Sequence, residues 1–259
     1  MKKTGFIGMG NMATAIASGM IGKGLAKGQD ILAYAPHYDK LRRNADRIGF
    51  VPVEDIKEMV RDCDTLIMAC KPYQIEEVLD QIGSLLGGKA LLSIAAGWDF
   101  DRYAPLLPPE TRFQFIMPNT PVMVGEGVLL FEEKNSLLAE EREEWIRVFG
   151  ALGMVRSIPS RLMGIAGAIT GCGPAFIDMV IEALGDAGVK YGIARKDAYA
   201  MAAKMIAGSA RLQLETGEHP GVLKDMVCSP AGTTIRGVDA LEHAGLRAAM
   251  IDAIDRIMK

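Results

Sequence analysis

Cysteine, histidine and aromatic residues are scarce in this chain. The four cysteines, Cys63, Cys70, Cys172 and Cys228, form no Cys-x-x-Cys pair and no dense spacing. That pattern argues against a disulfide framework or a metal site and for reduced thiols in a cytoplasmic protein. The three histidines, His37, His219 and His243, stand near no recognisable catalytic triad. Neither sign of charge dominates, with 29 Lys and Arg against 32 Asp and Glu, so nothing points to nucleic acid or an anionic membrane as partner. Long apolar runs are also missing. The uncharged stretch 162–177 falls short of the roughly 20 residues that span a bilayer and contains Gly and Pro. After Lys2 and Lys3, the stretch 4–22 is diluted by Gly5, Gly8, Gly10, Asn11, Thr14 and Ser18, unlike the compact apolar core of an export signal.

What remains is ordinary globular usage, with 49% hydrophobic and 24% charged residues in 259. That length supports one large domain or two modest ones. The 29 glycines suggest helices and backbone packed at close range.

The first part alternates short apolar runs with amphipathic segments. Residues 4–7, 31–34, 65–69, 91–94 and 113–117 read as strands, and 38–48, 53–61 and 73–86 as helices between them. A further strand at 128–131, a helix at 137–152 and a last strand at 154–157 follow. Such alternation predicts a Rossmann-type doubly wound sheet, parallel and covered on both faces. After Pro159 strand-like alternation stops, and 161–169, 174–190, 195–216, 219–227 and 233–257 read as helices. The expected domains are therefore 1–158 and 159–259. In 195–216, Ala198, Met201, Ala202, Met205, Ile206 and Leu212 cover a wide face with few opposing charges. A small helical domain has difficulty burying such a helix alone, which points to a homodimer or higher homo-oligomer.

Gly8-Met9-Gly10-Asn11-Met12-Ala13 is a G-x-G-x-x-A run that follows a strand and opens a helix. The first Gly makes the turn and the second lets backbone approach a pyrophosphate at the helix N-terminus. Ala13 still permits close packing of helix on sheet. The second strand ends in Ala33-Tyr34-Ala35-Pro36-His37, with Lys40, Arg42 and Arg43 beyond. No carboxylate stands where one would bind a ribose 2′-hydroxyl, which favours NADPH, with NADH possible. The alternative is that the three cations are merely a solvated helix face. Ala69-Cys70-Lys71-Pro72 and Met117-Pro118-Asn119-Thr120-Pro121 end two other strands at the same edge, where ligands bind in doubly wound sheets.

The helical part contributes two further motifs. Gly171-Cys172-Gly173-Pro174-Ala175-Phe176 starts a long helix. Ser229-Pro230-Ala231-Gly232-Thr233-Thr234 opens the last helical stretch, where successive N–H groups would make an anion site for a carboxylate. A threonine N-cap would explain that turn without a ligand.

Together with Ser93-Ile94-Ala95-Ala96-Gly97 and the run from Asp225 to Ile235, these segments resemble the pyrroline-5-carboxylate reductase family across the whole chain. The resemblance implies a Rossmann-type domain, a helical dimerisation domain, and NAD(P)H-dependent reduction of the cyclic imine 1-pyrroline-5-carboxylate to L-proline. It places the substrate site between the domains, with dimer partners contributing. It puts Gly8, Gly10, Asn11, Met12, Ala35, Ala69, Cys70, Lys71, Pro72, Ala96 and Asn119 around the cofactor. It gives Ala231, Gly232, Thr233 and Thr234 the substrate carboxylate, with Thr234 also beside the ring nitrogen as the catalytic candidate. The chain departs from the family pattern at Met226, Phe115, Ile56, Ser160 and Ala231. A hydroxyacid dehydrogenase of similar architecture would need a lysine on the first helix of the second domain, and 161–177 contains none.

Overall fold

Strands β1 (Thr4–Ile7), β2 (Ile31–Tyr34), β3 (Val51–Pro52), β4 (Thr65–Met68), β5 (Ala90–Ser93), β6 (Arg112–Met117), β7 (Gly127–Asn135) and β8 (Gly153–Ile158) form one sheet in the order β3-β2-β1-β4-β5-β6-β7-β8. The computed structural model describes residues 2–259. The first six strands are parallel. Their register sets Ile7 level with Tyr34 and Met68, and Met68 level with Ser93. Four strand ends are thus aligned along one edge.

Helices α1 (Asn11–Gly22), α2 (Tyr38–Ile48), α3 (Ile56–Asp62), α4 (Ile75–Ile82), α5 (Phe100–Tyr103), α6 (Ala139–Gly150) and α7 (Ser160–Gly167) complete this part. Side chains alternate along the strands, so two apolar cores form, one on each face. Phe6, Ile16, Ile67, Leu92, Ile116 and Phe149 lie in one; Ile7, Leu66, Met68, Leu91, Phe115 and Met163 lie in the other. Each fully buried side chain of this size contributes about 1.5–3 kcal/mol.

The structure differs from the sequence expectation in several places. The last two strands break the parallel pattern: β7 runs antiparallel to β6, and β8 runs parallel to β7. The helix expected from residue 53 starts at Ile56, because Asp55 caps it by accepting the N–H of Lys57 at 2.7 Å. β7 continues beyond residue 131 to Asn135. The chain divides into two compact units, one ending at Gly171 and the other Cys172–Lys259. The first takes in α7 because Met163 is buried in the second core. A π-helical turn, Ala168–Cys172, follows α7.

The second unit is helical throughout: α8 (Gly173–Lys190), α9 (Arg195–Thr216), α10 (Pro220–Met226), α11 (Thr233–His243) and α12 (Leu246–Met258). The expected helix 233–257 is two, because Gly245 takes a left-handed φ of +75° between them. Helices α8 and α9 pack at close range: a Cβ on Gly185 would stand 2.3 Å from the Tyr199 ring. Arg195 pairs with Asp186 and lies 5.1 Å over that ring. On α9, Ala198 and Ala202 are buried, whereas Met201 is 60% and Met205 52% exposed. By length and hydropathy alone, the helical run Ser160–Lys190 is long and apolar enough to cross a membrane.

Candidate functional site

β1 ends at Ile7 and the chain turns at Gly8, where φ is +94°. Gly8 N–H donates to the Tyr34 carbonyl at 2.8 Å, and Ala69 N–H donates to that of Ile7 at 2.8 Å. A Cβ on Gly8 would lie 2.8 Å from Ala69 C and Cys70 N, so conformation and space both require glycine. Gly10 is the N-cap of α1, and a Cβ there would meet nothing within 4 Å. No side chain caps α1 and no acidic residue stands in its first turn. Its first N–H groups therefore face open space without an intrahelical acceptor.

A groove of about 770 Å³ runs along the aligned strand ends from this turn. Gly8, Gly10, Asn11 and Met12 line it at β1, and Ala35, His37, Lys40 and Asn44 beyond β2. Ala69, Cys70, Lys71 and Pro72 follow β4, and Ala95 and Ala96 follow β5. The lining contains no Asp or Glu; its cations are Lys40 and Lys71. Arg42 and Arg43 are outside the lining and exposed, which separates them from Lys40. The turn after β4 is fixed by Gln74, whose Oε1 accepts the Lys71 N–H at 3.1 Å. Burial pushes the Cys70 thiol up to about 11, which keeps it protonated near neutral pH.

Asn119 is the cofactor candidate that the structure leaves out of the groove. It is 6% exposed. Its Nδ2 donates to the Thr170 carbonyl at 2.9 Å, and its Oδ1 accepts the Val128 N–H at 2.8 Å. The next residue, Thr120, lines the groove instead, with Met123. Thr120 and His37 stood in segments read as strand ends at the ligand edge without being singled out, and Met123 and Asn44 were missed by sequence reasoning. The available signal was proximity to a strand end at the ligand edge.

In the second unit, Gly232 rather than a threonine is the N-cap of α11. No side chain caps this helix and no acid occupies its first turn, so this end repeats the donor arrangement of α1. Ala231 precedes it with φ +57°, the one non-glycine residue at positive φ among the described residues. Thr233 and Thr234 are exposed, and neither hydroxyl makes a hydrogen bond among the described residues. The Arg236 Nε donates to the Gly232 carbonyl at 3.3 Å, which brings positive charge to the same turn. Of the departures from the family pattern, Phe115 and Ile56 are buried in the apolar core, and Met226 is exposed.

The donor set fits a dinucleotide. A glycine turn, an uncapped helix start and an acid-free groove suit a pyrophosphate and a further phosphate. Comparison with known proteins agrees. Residues 160–259 match the family model for pyrroline-5-carboxylate reductase dimerisation, and residues 3–97 that for NADP oxidoreductase, coenzyme F420-dependent. The chain is 40% identical over 254 residues to the pyrroline-5-carboxylate reductase of Treponema pallidum, covering 96% of each chain. It is 39% identical over 259 residues to that of Escherichia coli, covering 100% of this chain and 96% of the relative. The solved structure of Plasmodium falciparum pyrroline carboxylate reductase with NADP bound matches with a TM-score of 0.90 at 29% identity, covering 99% of this chain and 95% of that one. Similarity that runs through both units, and not the glycine turn alone, places this chain in the pyrroline-5-carboxylate reductase family.

Proposed function

We propose that this chain is a pyrroline-5-carboxylate reductase that forms L-proline with NADPH, as the last step of proline biosynthesis. The observation that carries the cofactor reading is the groove itself, which has a glycine turn over an uncapped helix and no carboxylate in its lining. Gly8, Gly10 and the first N–H groups of α1 hold the pyrophosphate. Lys40 and His37 face a 2′-phosphate beyond β2. The backbone of 69–72 and 94–96 borders the nicotinamide end. When bound, the dihydronicotinamide supplies the hydride for the imine carbon. The chain's own part is positioning. The N–H groups at 232–234 hold the substrate carboxylate, with Arg236 adding positive charge, and the Thr234 hydroxyl orients the ring nitrogen. An aliphatic hydroxyl is too weak an acid to protonate an imine alone, so the imine takes up a proton from the solvent, and the resulting iminium carbon accepts the hydride. Spectrophotometric oxidation of NADPH and NADH with pyrroline-5-carboxylate, with proline measured as product, tests the reading; absence of proline overturns it.

The working unit on this reading is a homodimer or a multiple of it, with the exposed methionines of α9 covered by a second copy. A bilayer is a poor alternative cover for α8. Asp178, Glu182 and Asp186 repeat every fourth residue along it and are exposed. Each charge at mid-membrane costs roughly 2.5–3.5 kcal/mol or more. The four cysteines are free thiols, as a reducing cytoplasm would leave them. A folded, active monomer at micromolar concentration in light scattering would remove the dimer from the proposal.

A further inference from the structure

Strand β7 buries a carboxylate. Glu132 is 0% exposed. Its Oε2 accepts the N–H of Phe100, the first residue of α5, at 2.9 Å, and its Oε1 has no hydrogen-bond partner. A buried carboxylate oxygen without a donor is destabilising, so packing alone does not account for the residue. Two positions along the strand, Lys134 reaches the same helix: it pairs with Asp101, and its ammonium lies 5.3 Å from the Phe100 ring centre. β7 therefore grips the first turn of α5.

The grip bears on the groove through the loop 94–99, whose Ile94, Ala95 and Ala96 line it. Two ties join this loop to α5, and a third anchors α5 itself. Ser93 Oγ accepts the Ala95 N–H at 3.3 Å and is bonded to the Tyr103 hydroxyl at 3.0 Å. The Arg102 guanidinium donates to the Gly97 carbonyl at 2.6 Å while lying 4.5 Å over the Trp98 ring. The third tie is Glu132 to Phe100. Tyr103, Arg102 and Phe100 all belong to α5, so the position of this one short helix sets the loop.

We propose that Glu132 is a positioning residue for the nicotinamide end of the groove. Through the Phe100 N–H it fixes α5, and through α5 it fixes the backbone at Ala95 and Ala96. The proposal rests on the reading of the groove as an NADPH site.

The test compares Glu132→Met, which removes the acceptor at similar length, with Glu132→Gln, which keeps an oxygen for Phe100. Two probes are bound to each: NADPH, and 2′,5′-ADP, which carries the adenosine end alone. The expected result for Glu132→Met is a roughly 10-fold fall in kcat and weaker NADPH binding, with the Kd for 2′,5′-ADP unchanged. Glu132→Gln should restore both to within about threefold. If NADPH affinity and kcat stay at wild-type values, or if both probes weaken equally, the proposal is overturned. Should Glu132→Met fail to fold, Arg102→Gln cuts the neighbouring tie at an exposed side chain and should give the same split between probes; no split there also overturns it. Wild-type protein that binds neither probe would instead remove the cofactor reading, and this proposal with it.

Discussion

Asn119 and Thr170 are joined side chain to backbone across 51 residues, the Nδ2 of one donating to the carbonyl of the other at 2.9 Å. Thr170 lies in the π-helical turn Ala168–Cys172, where the ordinary i to i+4 pattern is broken and a carbonyl is free to take a side-chain donor. The same amide accepts the Val128 N–H at 2.8 Å, so one buried side chain ties the end of β6 to the start of β7 and to the turn.

Asn119→Ala should therefore lower stability by about 1–3 kcal/mol, because Val128 N–H loses its acceptor in a buried place. Asn119→Asp keeps that acceptor but sets a carboxylate against the Thr170 carbonyl, and should be at least as damaging. Chemical denaturation measures both. NADPH affinity of the folded fraction should hold. Unchanged stability with weakened NADPH binding would return Asn119 to the cofactor role expected from its place at a strand end.

Cofactor choice should depend on Lys40 and not on its neighbours. Lys40 lines the groove, whereas Arg42 and Arg43 do not. Lys40→Ala should raise KM for NADPH roughly 10-fold or more, the loss of one charge-assisted contact, and leave KM for NADH nearly unchanged. The double variant Arg42→Ala and Arg43→Ala should change neither KM by more than about twofold. The reverse pattern in steady-state kinetics would relocate the 2′-phosphate to the arginine side of α2.

The parts of the fold legible in the sequence are those written in local periodicity. The strand-turn-helix at Gly8–Ala13 and the shift to helices after Pro159 announce themselves in consecutive residues. β3 does not, because two residues carry no period. The direction of β7 was invisible because a strand pattern is the same read either way. Its length was hidden because Glu132, Glu133 and Lys134 look like a solvated end, although Glu132 is fully buried. Asn119 was placed at the groove for the same kind of reason: its partner Thr170 is 51 residues away, and no local rule connects them.

The acid limb of the stability curve should show one pair in particular. Arg112 grips Glu141 with two hydrogen bonds of 2.8 Å. This side-chain contact holds the Glu141 carboxyl below its ordinary value, despite the opposing effect of burial. A depressed folded value means the stabilisation is fully present above the unfolded glutamate range, about 4.3. It is lost as the pH falls through the lower folded value. Glu141→Gln should thus be less stable than wild type by about 1 kcal/mol at neutral pH. The gap should close as the pH falls below about 4. A gap that persists unchanged at the acid end would show that the pair acts through packing instead.

Thr234 offers the cleanest separation of structure from function, because its hydroxyl makes no hydrogen bond among the described residues. A threonine N-cap would have tied that hydroxyl to the stability of α11, but Gly232 holds the cap position. Thr234→Ala should therefore leave the melting temperature within about a degree or two, while kcat/KM for the imine falls about 2- to 150-fold through one lost hydrogen bond. NADPH affinity should not move. Gly232→Val should be harsher, since a Cβ there would stand 2.3 Å from Ser229 Oγ and 3.0 Å from its carbonyl oxygen. Ala231→Gly works in the opposite sense. It relieves a left-handed residue at φ +57°, a strain of about 1–2 kcal/mol partly offset by the greater freedom of glycine in the unfolded chain. That variant should be slightly more stable and equally active, as the backbone donors keep their places. If Thr234→Ala instead lowers the melting temperature and keeps kcat/KM per folded molecule, the turn is a helix start and nothing more, and the substrate carboxylate must be held elsewhere.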